Sequence, residues 1–241
     1  MKRRDVMKGG LVLLATTTLA SIYKPAYSRT YVGGTGMWKA APPPPLSVVD
    51  PTRLVYLTPQ EARLVGAVFD VLIPADELGM GATEAGCVTF LDYQLAGPYG
   101  SAAKDYRLGP VVEGLPQQGP QGIMTPAEMY RTGLAELEHA AHAEFNKSFL
   151  DLSEEQKITF LKGVESGTIS FDTLKSDQFF VLMLQNVREG YLADPMYGGN
   201  RDMVGWKLVG FPGAIYDYRD WIVSKRGKKI DVHPVSLLGR A

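Results

Sequence analysis

The 241-residue chain has a single cysteine, Cys87, and only three histidines. One thiol closes no internal disulfide and holds no iron–sulfur cluster. No Cys-x-x-Cys-His offers covalent haem attachment, and no Gly-x-Gly-x-x-Gly follows a strand-like run to cradle a dinucleotide. A Gly-x-Ser-x-Gly elbow is also missing, and Cys87 has no histidine motif beside it. Long apolar runs are lacking too. The longest candidate, Gly9 to Ile22, has 14 residues diluted by three threonines and two glycines, against the roughly 20 that span a bilayer as a helix. The formal charge is −1, which argues against the basic surface of a nucleic-acid binder. Alternating strand-like patterns are scarce throughout.

The two ends carry distinct signals. Lys2-Arg3-Arg4-Asp5-Val6-Met7-Lys8 pairs the twin arginines Arg3 and Arg4 with a following apolar residue and a lysine, as in a Tat export signal. Residues 1–28 then read as a three-part leader. Ala26 and Ser28 supply small residues at the −3 and −1 positions for cleavage before Arg29; an uncleaved anchor is the alternative. This segment holds five Lys/Arg and one acidic residue, a net of +4, leaving −5 for the remainder of a chain whose total is −1. Residues 29–54, with Gly33-Gly34-Thr35-Gly36 and Pro42 to Pro45, read as an extended Pro/Gly-rich arm. Residues 225–241 open on Lys-Arg-Gly-Lys-Lys and read as a basic, exposed tail, either solvated or docked on an acidic partner.

Residues 55–224 are long enough for one domain with its own core. Thr58-Pro59-Gln60-Glu61 is a capped helix start, followed by Leu64, Val65, Val68, Phe69 and Leu72 at helical spacing. Pro74 ends that helix. Thr83 is the expected cap of a second, with Val88, Phe90, Leu91 and Leu95 inward, ending near Ala96. A Gly/Pro-rich loop covers Gly97 to Met124, a length typical of functional or partner-bound loops. Thr125-Pro126-Ala127-Glu128 opens a third helix to Phe145, and Ser153 caps a fourth with Ile158, Phe160, Leu161 and Val164 in its stripe. A fifth runs from Ser176 to Leu192, with Phe179, Phe180, Leu182, Met183 and Val187 apolar. The expected fold is mainly α: a single helical domain with long irregular Gly/Pro-rich loops.

Candidate chemical groups are few. His139 and His142 share a face of the third helix near Glu136 and Glu138, but no third metal ligand accompanies them, which favours a solvated or capping role over a metal site. His233 lies in the tail with no obvious partner. Asp194, Asp202, Asp217 and Asp220 read as capping and salt-bridging groups around Arg201 and Arg219, because nothing near them frames a pocket for paired-carboxylate chemistry. Cys87, at an apolar helix start, reads as a buried small residue, with a covalent link to a partner as the minority alternative. No catalytic, cofactor-binding or metal-ligating residue is assigned.

The stretch Tyr191 to Ala214 stands apart. Its 24 residues include five glycines, two prolines and four aromatics, a composition wrong for a regular helix or strand and too rich in large side chains for a slack linker. Asp194-Pro195 breaks the preceding helix, and Gly198-Gly199 permits positive φ or close backbone approach. Tyr191, Tyr197, Trp206, Phe211, Tyr216, Tyr218 and Trp221 fall within 31 residues. Tyrosine, tryptophan and arginine dominate interface hot spots, so aromatics beside Arg201 favour a contact surface.

This stretch closely resembles the signature of the gluconate 2-dehydrogenase small subunit (subunit 3) family. Leu57-Thr-Pro-Gln-Glu61, Leu72-Ile-Pro-Ala-Asp76 and Gly81-Ala-Thr-Glu-Ala-Gly86 resemble the family's first helix and following loop, so the similarity runs over about residues 55 to 215. The resemblance implies a non-catalytic subunit of a periplasmic, membrane-associated sugar-acid dehydrogenase. Its FAD would lie in a glucose–methanol–choline-type large subunit and its haem c in a cytochrome subunit. The small subunit would escort the flavoprotein through the Tat machinery and stabilise it. Asp194, Tyr197, Gly198, Gly199, Asn200, Arg201, Asp202, Trp206 and Phe211 would then form the partner interface. An independent periplasmic enzyme and a transient assembly chaperone are the rival readings. The substrate, whether gluconate, a ketogluconate or another compound, is not encoded in this chain.

Overall fold

A computed structural model describes residues 49–105, 109–110, 112, 114–118, 122–215, 217–228 and 233–240. Residues 1–28, where an export signal is expected, and most of the arm expected at 29–54 therefore lie outside the described residues, as does Tyr216. Seven α-helices fall within the described residues: α1 (Pro59–Leu72), α2 (Cys87–Ala96), α3 (Pro126–Phe145), α4 (Glu154–Glu165), α5 (Ser176–Leu192), α6 (Val204–Val209) and α7 (Arg219–Ser224). These residues contain no β-strand, only isolated bridges pairing Asp76 with Gly79 and Gly213 with Val235. The domain is mainly α, as the pattern of apolar residues predicts.

Three helices start where local chemistry demands. Thr58, Thr125 and Ser153 each accept a hydrogen bond from the backbone three residues on, and Glu61, Glu128 and Gln156 reach back to the cap residue's own N–H. Each such box satisfies two of the four donors that a helix start leaves orphaned. The second helix begins differently. Its cap is Gly86, in the left-handed region at φ 87°, and not Thr83, the expected cap. Thr83 instead ties the connecting turn to α1: its N–H donates to Asp70 Oδ1 (2.8 Å) and its hydroxyl to the Gly66 carbonyl (3.2 Å).

The long fifth helix is the spine. Phe179, Met183, Val187 and Tyr191 recur every four residues down one face, and all are buried, as the helical repeat requires. The helix packs against α2 and α4 and touches α1 and α3. Gly133 on α3 leaves room for the Phe179 ring, which meets Tyr130 edge-on at 5.6 Å. Ile158, expected in the α4 stripe, is instead exposed, while Phe160, Leu161 and Val164 carry that face.

Two polar groups tie this apolar stack together. Tyr130 and Tyr99 both donate to Asn186 Oδ1 on α5, at 3.0 and 3.1 Å, and Asn186 Nδ2 donates to Glu189 at 3.0 Å. Burial pushes the Tyr130 hydroxyl well above its ordinary pKa, which keeps it a donor. The second group is Asp92, fully buried on α2. Its carboxyl oxygens accept the backbone N–H groups of Val55, Tyr56 and Leu57 at 2.6, 3.0 and 2.7 Å. That group sets the path by which the chain enters α1. Asp92→Ala would orphan three donors, two of them at part-buried and one at a buried position, and should cost about 3 kcal/mol or more of unfolding free energy. Asp92→Asn, able to accept at one oxygen only, should cost less. Urea denaturation checks both; equal stability of Asp92→Ala and the parent would remove Asp92 from this role.

Candidate functional site

The 191–214 stretch is built as a clasp on the end of α5. A helix leaves its last carbonyls without intrahelical partners, and here the loop's own side chains supply them. Trp206 Nε1 donates to the Leu192 carbonyl and Asn200 Nδ2 to the Ala193 carbonyl, both at 2.7 Å. Asn200 Oδ1 in turn accepts the Gly205 N–H at 2.8 Å. Arg201 N–H donates to the Ala85 carbonyl (2.9 Å) and Tyr191 hydroxyl to the Met80 carbonyl (2.8 Å). The loop is thereby stitched to both the end of α5 and the turn before α2.

Glycine makes that closeness possible. A β-carbon on Gly199 or Gly205 would fall under 3.0 Å from the carbonyl oxygens of Gly190 and Tyr191 respectively, and one on Gly86 equally close to that of Gly198. Between these contacts the backbone holds three non-glycine residues in the left-handed region: Asn200, Asp202 and Met203, with φ of 47°, 55° and 56°. Such conformers cost of order 1–3 kcal/mol each and persist only where surroundings over-determine them; asparagine and aspartate tolerate them best. The segment is not irregular throughout. Turns of 3₁₀ helix at Pro195–Tyr197 and Arg201–Met203 lead into α6, a regular six-residue helix where the composition suggests none.

The structure thus sorts the candidate interface residues. Gly198, Gly199, Asn200 and Trp206 face inward, with Asn200 and Trp206 buried. Asp194 also works within the fold. It caps the Pro195–Tyr197 turn through Met196 N–H (3.0 Å) and accepts the Ser236 hydroxyl (2.7 Å) and Leu237 N–H (2.9 Å). Tyr197, Arg201, Asp202 and Phe211 are exposed, with Phe211 edge-on to Trp206 at 5.2 Å. Among the described residues Arg201 makes no ion pair with Asp194, Asp202 or Asp217, whereas Arg219 pairs with Asp217; the Asp220 side chain lies outside the described residues. Beside Tyr197 lies an open groove of about 960 Å³, lined by Phe90, Leu184 and Leu192 with Arg188 and Glu189.

The remaining candidates hold no reactive arrangement. His139 and His142 are exposed; His142 lies 3.5 Å from Glu138. No group of three potential metal ligands occurs among the described residues. Cys87 is fully buried, and that burial, with Asp70 nearby, pushes its thiol up to about 12. Asp92 and Ser236 escaped notice in the sequence. An acidic residue inside the apolar run Phe90-Leu91-Asp92 was the available signal for the first; nothing local marks the second.

Fold and site together define a small helical protein whose distinguishing feature is a glycine-locked surface loop. The family model for gluconate 2-dehydrogenase subunit 3 matches residues 59–213, which takes in the five core helices α1 to α5 and the clasp up to Gly213. The chain belongs to this family and is, by that membership, a subunit type of a multi-subunit gluconate dehydrogenase. No curated protein and no solved structure matches it.

Two outcomes are expected from this geometry. Trp206→Ala should destabilise the isolated protein by about 3–5 kcal/mol and Asn200→Ala by about 1–3 kcal/mol. Arg201→Ala should stay within about 0.5 kcal/mol. Chemical denaturation ranks the three, and a destabilised Arg201 variant would contradict the surface role of its side chain. For Cys87, a pKa near 12 in place of 9.0 lowers the thiolate fraction at pH 8 about a thousandfold, because only the thiolate is nucleophilic. Native protein should therefore react with a disulfide reagent only at the rate of unfolding. Rapid labelling at pH 8 would show the thiol to be accessible.

Proposed function

We propose that this chain is the non-catalytic small subunit of a periplasmic FAD-dependent sugar-acid dehydrogenase. Its role is to carry the flavoprotein subunit through the Tat system and to stabilise it. The cofactors, FAD and haem c, belong to the partner subunits. One observation carries this reading beyond the family membership: the strained clasp presents Tyr197, Arg201, Asp202 and Phe211 outward, with a guanidinium that has no ion-pair partner among the described residues. Strain held in place by surrounding bonds is found where a protein needs a fixed surface, and Arg with Tyr is the composition of a binding hot spot. The twin arginines Arg3 and Arg4 support export of a folded pair.

Co-expression with the flavoprotein, followed by periplasmic fractionation and affinity measurement, tests this reading. The flavoprotein should appear in the periplasm only with Arg3 and Arg4 intact. Tyr197→Ala and Arg201→Ala, both folded, should each weaken the pair about 30-fold, since a hot-spot truncation costs about 2 kcal/mol. Export of the flavoprotein without this chain would refute the escort role. Full affinity in both variants would place the contact elsewhere.

A further inference from the structure

A second surface lies outside the clasp. Helix α7 exposes two adjacent β-branched residues, Ile222 at 64% and Val223 at 87%, and nothing in the described chain covers them. Trp221 and Tyr218 flank them, ring edge to ring face at 5.7 Å. Directly after the helix come Lys225, Arg226 and Lys228, all exposed, and Lys229 follows in sequence. Lys225 and Arg226 stand one turn from Ile222, so the cations border the apolar tip. Lys228 Nζ turns back to the Ser224 carbonyl (3.3 Å), keeping its charge at the same end of the helix. The nearby Asp217 is engaged by Arg219 Nε at 2.9 Å. Over residues 217–229 five Lys/Arg against two Asp leave a net charge of +3, in a chain whose total is −1.

We infer that α7 and the cations after it dock directly on an anionic phospholipid surface. Ile222 and Val223 would enter the headgroup boundary, Trp221 and Tyr218 would sit at its level, and the lysines would pair with lipid phosphates. The composition favours lipid over an acidic protein. Protein interfaces are depleted in lysine and anchored by buried aromatics, whereas here two of the three described cations after the helix are lysines beside an aliphatic tip. Lysine stems lie along apolar surface while the ammonium stays in water, and tryptophan and tyrosine collect at membrane interfaces. An apolar insertion plus a basic cluster supplies the two signals that stable peripheral attachment needs. No described helix is long and apolar enough to cross a membrane; contact of this kind needs none. The proposed periplasmic location is used only to bring a membrane within reach.

Co-sedimentation of the exported full chain with vesicles tests this without the flavoprotein. Binding is expected on phosphatidylglycerol–phosphatidylethanolamine vesicles, weakening with salt, and little on phosphatidylcholine. The triple change Lys225→Gln, Arg226→Gln, Lys228→Gln should weaken it on the order of 100-fold, since each cation near an anionic surface contributes about fivefold. Ile222→Ser with Val223→Ser should abolish whatever binding survives in high salt. Both variants alter exposed side chains, and unchanged melting verifies their fold. Their affinity for the flavoprotein should stay at the parent value, which separates this surface from the clasp. Equal binding to neutral vesicles, or variants that bind like the parent, would overturn the inference. So would a basic segment that ignores vesicles and is needed for the flavoprotein instead.

Discussion

Three carbonyl oxygens, those of Gly190, Tyr191 and Gly198, occupy positions where any side chain on the facing residue would collide. The facing residues are Gly199, Gly205 and Gly86. This backbone-on-backbone contact brings the end of α5, the start of α2 and the start of α6 to one point. Everything on the outer side of the loop inherits its position from there. The hydrogen bonds of Asn200 and Trp206 are short and well placed because the backbones are already close. A methyl group at any of the three glycines would have to move main chain, which has no rotamer to yield.

A division of labour follows from that geometry. Asn200 and Trp206 spend their polar atoms on the helix end, and Asp194 spends its own on a turn and on the C-terminal segment. The side chains of Arg201 and Asp202 stay outside, although the Arg201 N–H itself helps to hold the loop through the Ala85 carbonyl. The loop is rigid for internal reasons and displays its charged and aromatic side chains as a consequence. A partner meeting such a surface finds it ordered beforehand, and the entropy of fixing the loop has been met in folding and not in binding.

The helices were legible because each carries its evidence locally. Thr58, Thr125 and Ser153 announce starts three residues ahead of their acidic or amide partners, and the Phe179–Tyr191 stripe repeats with the helix itself. Thr83 misled because the same side chain that caps a helix can equally tie a turn to a neighbouring helix, here through Asp70 and Gly66. Cys87 followed from its apolar setting. The clasp was legible as a special segment but not as a mechanism. Whether Trp206 points into the fold or out of it depends on the Leu192 carbonyl, and Asn200 on that of Ala193; both depend on how sharply the chain turns after α5. Ile158 shows the same limit on a smaller scale, since a residue at the edge of a stripe is buried only if a neighbour reaches it.

Asp194 closes a ring with Ser236 and Leu237, partners 42 and 43 residues further along. During synthesis this bond cannot form until both have left the ribosome, long after α1 to α5 are free to pack. The turn at Pro195–Tyr197, which sets Tyr197 on the surface, closes with its own local bonds and gains these two distant ones afterwards. A chain caught before that point would carry a packed helical core while Asp194 still lacked two of its three partners, so this one carboxylate links the clasp to a segment that reaches it late.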